Sequence, residues 1–432
     1  MTIKRQFTCF IILVLVLAVT LGGCSASSEN IEKDSFDRHK SQAVALKIYL
    51  GSLQWADTID EISEDYWKEA GVILEWEFPD EKAEIVLKSR FASGDAPDIF
   101  GLANGDYNIW YQRCIELSQA TWISDVYEPA LSGGMHEGNV YGMPMDILGS
   151  GIIYNKDLFA KAGIEKVPVT FSELKEACQL LQTAGIQPFG EAWADWGFLA
   201  HILGIPFSYQ GAAELSSRLS SGTAVFSDME YIDNFFDFFD LTLDYGGGSD
   251  SISCHYDDQA EAFALGEVAM MKQGSWSTSV IREFNSDMNI GLFAVPLTDD
   301  ASQTKLQVST TNYMSISNTS KYQKEAKEFL QWFYEHMQEY VVDDMYLAAP
   351  YSSMDISETG ALNMDMNMYI ENGMSYSGFG VEEWPSGFNV DQAEPLQLYA
   401  AGAADRKTTC DALQVLWNKR LELTMENERK TE

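Results

Sequence analysis

Between Leu46 and Phe100 the apolar residues switch repeatedly between strand-like alternation and helical spacing, and this rhythm constrains the fold more than any single motif. Leu46-Lys47-Ile48-Tyr49-Leu50 reads as a strand ending at Gly51, and residues 59–70 read as a helix closed by Gly71. Val72, Leu74, Trp76 and Phe78 then alternate in a second strand. Pro79-Asp80 opens a second helix, in which Ala83, Val86, Leu87 and Phe91 recur at three- and four-residue intervals. Gly94 stops it, and Pro97-Asp98-Ile99-Phe100 enters a third strand. Strand, helix, strand, helix, strand is the pattern of a mostly parallel sheet, because parallel neighbours need a helical crossover between them.

The middle of the chain repeats the pattern. Asn155 is placed to cap a short helix over residues 156–162, with Gly163 as its stop. Thr170-Phe171-Ser172-Glu173 is a capping box, and Ser320 with Gln323 forms a second one ahead of Ala326, Phe329, Leu330 and Phe333. Helices are expected over 228–243 and 258–265, and a buried strand over 268–271. No fixed-period repeat intervenes. The fold class is α/β, with room in 432 residues for two or three domains or one large two-lobed unit.

Charge narrows the partners. With 65 acidic against 28 basic residues, the formal charge is −37, which repels nucleic acid and favours neutral or cationic ligands. The N-terminus supplies the localisation. Lys4 and Arg5 precede an apolar run, residues 7–21, that is long enough for a signal peptide and short for a membrane span. It ends in Leu21-Gly22-Gly23-Cys24, which resembles the bacterial lipoprotein box and implies a signal over 1–23 with Cys24 lipidated. Several acyl chains at one site suffice for anchoring, since each buried methylene contributes about 0.8 kcal/mol. Residues 25–42 are polar without periodicity and read as a tether. Cys114, Cys178, Cys254 and Cys410 lie far apart, with no zinc-type spacing; disulfides and free buried thiols both remain open.

Four segments, in order, carry a family resemblance. The first runs from Phe78-Pro79-Asp80-Glu81 to Ala96-Pro97-Asp98-Ile99-Phe100. The second joins Gly138-Asn139-Val140-Tyr141-Gly142-Met143-Pro144, Ile153-Tyr154-Asn155-Lys156-Asp157-Leu158-Phe159 and Pro168-Val169-Thr170-Phe171-Ser172-Glu173-Leu174. The third is the run 262–271 with Gly274-Ser275-Trp276, and the fourth is Ser317-Asn318-Thr319-Ser320 with Glu325-Ala326-Lys327-Glu328-Phe329-Leu330. Together they resemble the family 1 extracellular solute-binding proteins, the maltose-binding-protein-like subunits of ATP-driven importers. The resemblance implies a two-lobed periplasmic-binding-protein-like fold of type II, with lobes joined by crossing hinge strands near 143–151 and 308–315. One lobe would hold 43–147 plus about 312–360, and the other 148–311 plus about 361–432. It further implies a carbohydrate ligand, a permease and ATPase as partners, a monomer on the outer face of the cytoplasmic membrane, and no cofactor or metal.

Sugars present hydroxyls and flat C–H faces, so their sites combine carboxylates and amides with aromatic rings. Trp276, just past a strand and Gly274, is the first candidate, and in the family that residue lines the cleft. Trp193, Asp195 and Trp196 form an aromatic–acid cluster after Gly190. Asp106 sits in Asn104-Gly105-Asp106-Tyr107 beyond a strand end, where open α/β sheets bind ligands. Trp55 follows the first strand similarly, Trp384 lies in an irregular acidic segment, and Asn312 falls on the returning hinge strand. Trp67, Trp76, Trp332 and Trp417 fit core faces.

A glycoside hydrolase would need two carboxylates about 5–9 Å apart, and no motif singles out such a pair. GxSxG, HExxH and GxxxxGK[ST] are absent, and the histidines are scattered. Asn363, Asp365 and Asn367 imitate an EF-hand start, but Met368 stands where its glycine belongs. A polyol, peptide or polyamine on the same fold stays open beside the sugar. Spread aromatics favour an oligosaccharide.

Overall fold

The computed structural model describes residues 43–51, 58–78 and 83–431. Cys24 and Trp55 lie outside the described residues.

Chain order and sheet membership together define the architecture. Strands β1 (Ala45–Tyr49), β2 (Ile73–Glu77), β3 (Ile99–Leu102) and β4 (Met143–Pro144) belong to one sheet. Strands β5 (Leu148–Asn155), β6 (Gln187–Gly190), β7 (Val268–Gly274), β8 (Ile290–Phe293) and β9 (Leu306–Ser309) belong to a second. Then β10 (Tyr313–Ile316) returns to the first sheet and β11 (Ser375–Ser377) to the second. The first sheet has the order β2-β1-β3-β10-β4, with β1 parallel to both β2 and β3 and β10 antiparallel to β3. The second has the order β11-β9-β5-β7-β6, with β8 also paired to β5. The βαβαβ expectation is met by helices Ile59–Ala70 and Ala83–Ser93 between the parallel strands. These are the two lobes of the type II fold.

Local signals act where expected. Asn155 Oδ1 accepts from the amides of Asp157 and Leu158, and the Thr170–Glu173 box is closed on both sides above helix Phe171–Thr183. The Ser320–Gln323 box does not form. Ser320 Oγ donates to Asp98 Oδ1 across the lobe (2.5 Å) and accepts from Tyr322, so helix Gln323–Glu335 begins without a side-chain cap. The pseudo-EF-hand residues lie in helix Ala361–Glu371. Cys114, Cys178, Cys254 and Cys410 are all unpaired thiols. Among the described residues no helix is long and apolar enough to cross a membrane.

The larger core packs on the second sheet. Helix Trp196–Gln210 is buried over most of its length, and its Phe207 meets Trp384 and Trp417 at 5.2 and 6.0 Å. A Cβ on Gly204 of that helix would occupy the place of the Phe379 carbonyl oxygen. Gly204 thereby seats the loop after β11, and that loop contributes to both walls of the cleft described next.

Candidate ligand cleft

Two crossings join the sheets, and their side chains are tied together. The chain leaves the first sheet at Pro144, reaches β5 at Leu148, and comes back between Ser309 and Tyr313. Met145 N–H donates to the Asn312 carbonyl (2.9 Å), and Thr310 Oγ1 donates to the Asp146 carbonyl (2.8 Å). The buried Asp146 carboxylate accepts from Thr311 N–H (3.0 Å), Thr311 Oγ1 (3.1 Å), Asn312 N–H (3.4 Å) and Asn312 Nδ2 (2.6 Å). Burial raises its pKa, and these donors oppose the shift.

Beyond the carboxyl ends of β1 and β3, next to this crossing, lies a cavity of about 250 Å³. Asp106 and Asn312, both candidates from the sequence, line it with Tyr49, Glu84, Trp110 and Thr311; among the described residues no lysine or arginine does. Asp106 Oδ2 accepts from the Ala103 amide (2.8 Å). Burial pushes the Asp106 carboxyl up to about 6; the Ala103 amide opposes this and Glu84 adds to it.

A second wall, at the end of β7, is aromatic. Trp276 follows β7 and is half-buried, with its ring filling the space that a Cβ on Gly274 would need. Its Nε1 donates to Gln273 Oε1 (3.3 Å), and its ring meets His201 at 5.1 Å and Phe379 at 5.7 Å, both edge-on. Behind it Lys272 is buried and donates to Ser150 Oγ (2.6 Å); burial pulls this amine down to about 7. Burial and then Lys272 hold the His201 ring down to about 3, so it is neutral.

The loop carrying Phe379 also reaches the first wall. Glu382 Oε1 accepts from Ser309 Oγ (3.1 Å), which itself accepts from Asn104 Nδ2 (3.1 Å). Asn108 Nδ2 donates to Glu383 Oε2 (3.0 Å).

Other candidates are placed differently. Trp193 belongs to the core: it is fully buried, 4.5 Å from Phe239 and 5.2 Å from Phe198. Trp384 is also a core residue, at 5.2 Å from both Phe207 and Phe388, so the irregular backbone around it does not expose its ring. Asp195 braces the helix Tyr256–Ala264. Oδ2 accepts from Tyr256 N–H (2.5 Å), and Oδ1 meets His255 Nδ1 (2.9 Å), whose pKa Asp195 raises. Tyr256 in turn donates to Ser277 beside Trp276 (3.0 Å), so Asp195 reaches that wall only indirectly. Trp196 is 49% exposed and faces a separate depression with Asp391, Glu394 and Gln397. Sequence reasoning missed Asp146, Thr311, His201 and Phe379. A lone acid among the apolar residues Met143–Ile147 was the one available signal.

The family model for bacterial extracellular solute-binding proteins matches residues 54–340. The chain belongs to this family. This solute-binding protein is 24% identical over 332 residues to the multiple sugar-binding protein of Streptococcus mutans, covering 74% of this chain and 76% of that one. It is 23% identical over 305 residues to the melibiose/raffinose/stachyose-binding protein MelE of Bacillus subtilis, covering 68% of each. The solved RafE solute-binding protein in complex with raffinose superposes with a TM-score of 0.71 at 24% identity, over 88% of this chain and 100% of that one. The two-lobed type II fold expected from the sequence is therefore the fold of this solute-binding protein.

Proposed function

We propose that this protein is the lipid-anchored solute-binding subunit of a bacterial ABC importer, capturing a carbohydrate, preferably an oligosaccharide, between its lobes without chemical turnover. The lobes divide as 43–147 plus about 312–360 and 148–311 plus about 361–432, Cys24 carries the lipid, and the protein works as a monomer with a permease and an ATPase. The observation that carries the reading is the chemistry of two groups: Asp106, Glu84 and Asn312 around the cavity beside β1 and β3, and Trp276 with Phe379 and His201 at the end of β7. Carboxylates and an amide suit hydroxyl groups, and a half-buried indole suits a sugar face. The ligands of the relatives, raffinose and stachyose among them, point the same way. Ligand that binds the closed arrangement better draws the hinge equilibrium toward it.

A second reading rests on the same carboxylates, since a cavity lined by Asp106 and Glu84, and by no basic side chain among the described residues, also suits an ammonium group. Thermal melting separates the two. Raffinose, stachyose or melibiose at about a hundred times its dissociation constant should stabilise the protein by roughly 2.7 kcal/mol. Stabilisation by spermidine alone would transfer the function to polyamines. Turnover of a glycan in the same wells would overturn the binding reading altogether.

A further inference from the structure

We infer that Asp146, which no ligand need touch, sets the hydrogen-bonding sense of the ligand site by holding the amide of Asn312 in one orientation; the inference rests on the carbohydrate reading above. An ionised carboxylate can only accept. Three other donors, the amides of Thr311 and Asn312 and Thr311 Oγ1, already point at this carboxylate, and the Asn312 nitrogen joins them at 2.6 Å from Oδ2. Nδ2 also donates to Thr311 Oγ1 at 2.9 Å. Both of its hydrogens are thereby engaged, and Oδ1, for which no partner occurs among the described residues, is the end of the amide left for the cavity that Asn312 lines. The site then presents the Asn312 oxygen beside the Asp106 carboxylate, and adjoining ligand groups must donate to both.

The arrangement also links specificity to the hinge. Asp146 sits on the outgoing crossing and Asn312 on the returning one, and Asp146 Oδ1 fixes the backbone amides of Thr311 and Asn312 at 3.0 and 3.4 Å. The same carboxylate therefore sets the register of the two crossings and the orientation of the side chain facing the ligand. Asp146 is a positioning residue, acting through Asn312.

Exchange of the two side chains tests this. In Asp146→Asn, the new amide oxygen still accepts from the backbone of Thr311 and Asn312, and its NH2 now faces Asn312. The Asn312 amide turns over, and the cavity meets a donor where it had an acceptor. Raffinose binding, measured by calorimetry on the purified protein, should weaken about tenfold, since a mismatched buried hydrogen bond leaves one partner unsatisfied. The double variant Asp146→Asn/Asn312→Asp restores an acceptor toward the cavity and an amide–carboxylate pair at the hinge. It should recover affinity to within about threefold of the original, whereas Asn312→Asp alone sets two carboxylates against each other and should not. Melting temperature is read alongside. If Asp146→Asn lowers it but leaves raffinose affinity within threefold, Asp146 only braces the hinge and the inference falls. If the original protein binds no sugar, the carbohydrate reading falls by itself. The orientation is then judged from the side-chain NH2 signals of Asn312 in a nitrogen–proton correlation spectrum. A large shift of those signals in Asp146→Asn sustains the inference, and unchanged signals overturn it.

Discussion

The two walls of the cleft carry opposite electrostatic burdens. On the wall beside β1 and β3, burial pushes the Asp106 carboxyl up to about 6. On the wall behind Trp276, burial pulls the Lys272 amine down to about 7. Each wall hides an ionisable group that would be better solvated in the unfolded chain, so both reduce stability, at opposite ends of the pH scale. The carboxylate faces the cavity and is available to a ligand, whereas the amine is covered and donates to Ser150. In the proposed function, binding accounts for the first burden directly. The second is structural, and removing it should leave the cavity intact.

Lys272→Met is accordingly the substitution with the largest expected effect. The unfolded chain holds the lysine proton up to about pH 10.5, and the folded protein releases it near 7. Between those limits the unfolded state binds more protons, so stability of the original protein rises with pH across the window. The variant lacks this dependence. Its advantage should reach a few kcal/mol at and below pH 7 and shrink toward pH 10, offset by roughly 1 kcal/mol for the lost bond to Ser150. Urea denaturation at pH 6, 8 and 9.5 measures the gap, and a gap that stays constant would mean that charge on the amine is not the cost.

Trp276→Ala comes next and acts on binding. Loss of the indole face should cost about 2 kcal/mol or more in raffinose affinity, as for other buried aromatic anchors. If the loss is small, the aromatic wall is packing, and recognition lies with the carboxylates alone.

Asp106→Asn should cost about tenfold in raffinose affinity near neutral pH. The sign of its pH dependence follows from the raised pKa. Between about 4 and 6 the folded protein keeps a proton on Asp106 that the unfolded chain has lost, so this group reduces stability increasingly as pH rises through that window. Affinity in the original protein should fall as pH drops through 6 and the carboxylate is neutralised, and the variant should lack that step. Calorimetry at pH 5 and 7.5 compares them.

The same contrast between walls explains what could be read in the sequence. The Asn155 cap, the Thr170–Glu173 box and the strand–helix alternation from β1 to β3 depend on neighbours a few residues away, and all appear in the structure. The candidates Asp106 and Asn312 follow from topology, since they lie beyond a strand end and on a crossing. The tryptophans were harder. Trp193 and Trp276 each follow a glycine at the end of a buried strand, yet Phe198 and Phe239 enclose the first while the second keeps part of its ring open. That difference is decided by residues distant in sequence. Trp384 stands before Pro385 and Gly387, which suggests an exposed turn; the φ of +82° at Gly387 instead lets the chain fold back and bury the ring against Phe207 and Phe388. Asp146 shows no periodic or capping pattern, because its partners lie on a crossing more than a hundred residues later.

Trp196 gives the smallest expected effect and sharpens the outline of the site. Trp196 is 49% exposed beside a depression shared with Glu394 and Gln397, and it is absent from the lining of the cavity beside Asp106. It nevertheless starts the helix Trp196–Gln210 directly after Asp195, which reaches the Trp276 wall through Tyr256 and Ser277. A ligand confined to the two walls would not touch it, so Trp196→Ala should leave raffinose affinity within about twofold, as exposed positions outside an interface generally do. Stachyose, one galactose longer, probes the same variant further out. An affinity loss for stachyose without one for raffinose would extend the groove along the Asp195 side to the exposed indole. Equal affinities for both sugars would end recognition at the hinge-proximal walls, with the acceptors of the cavity and the half-buried ring.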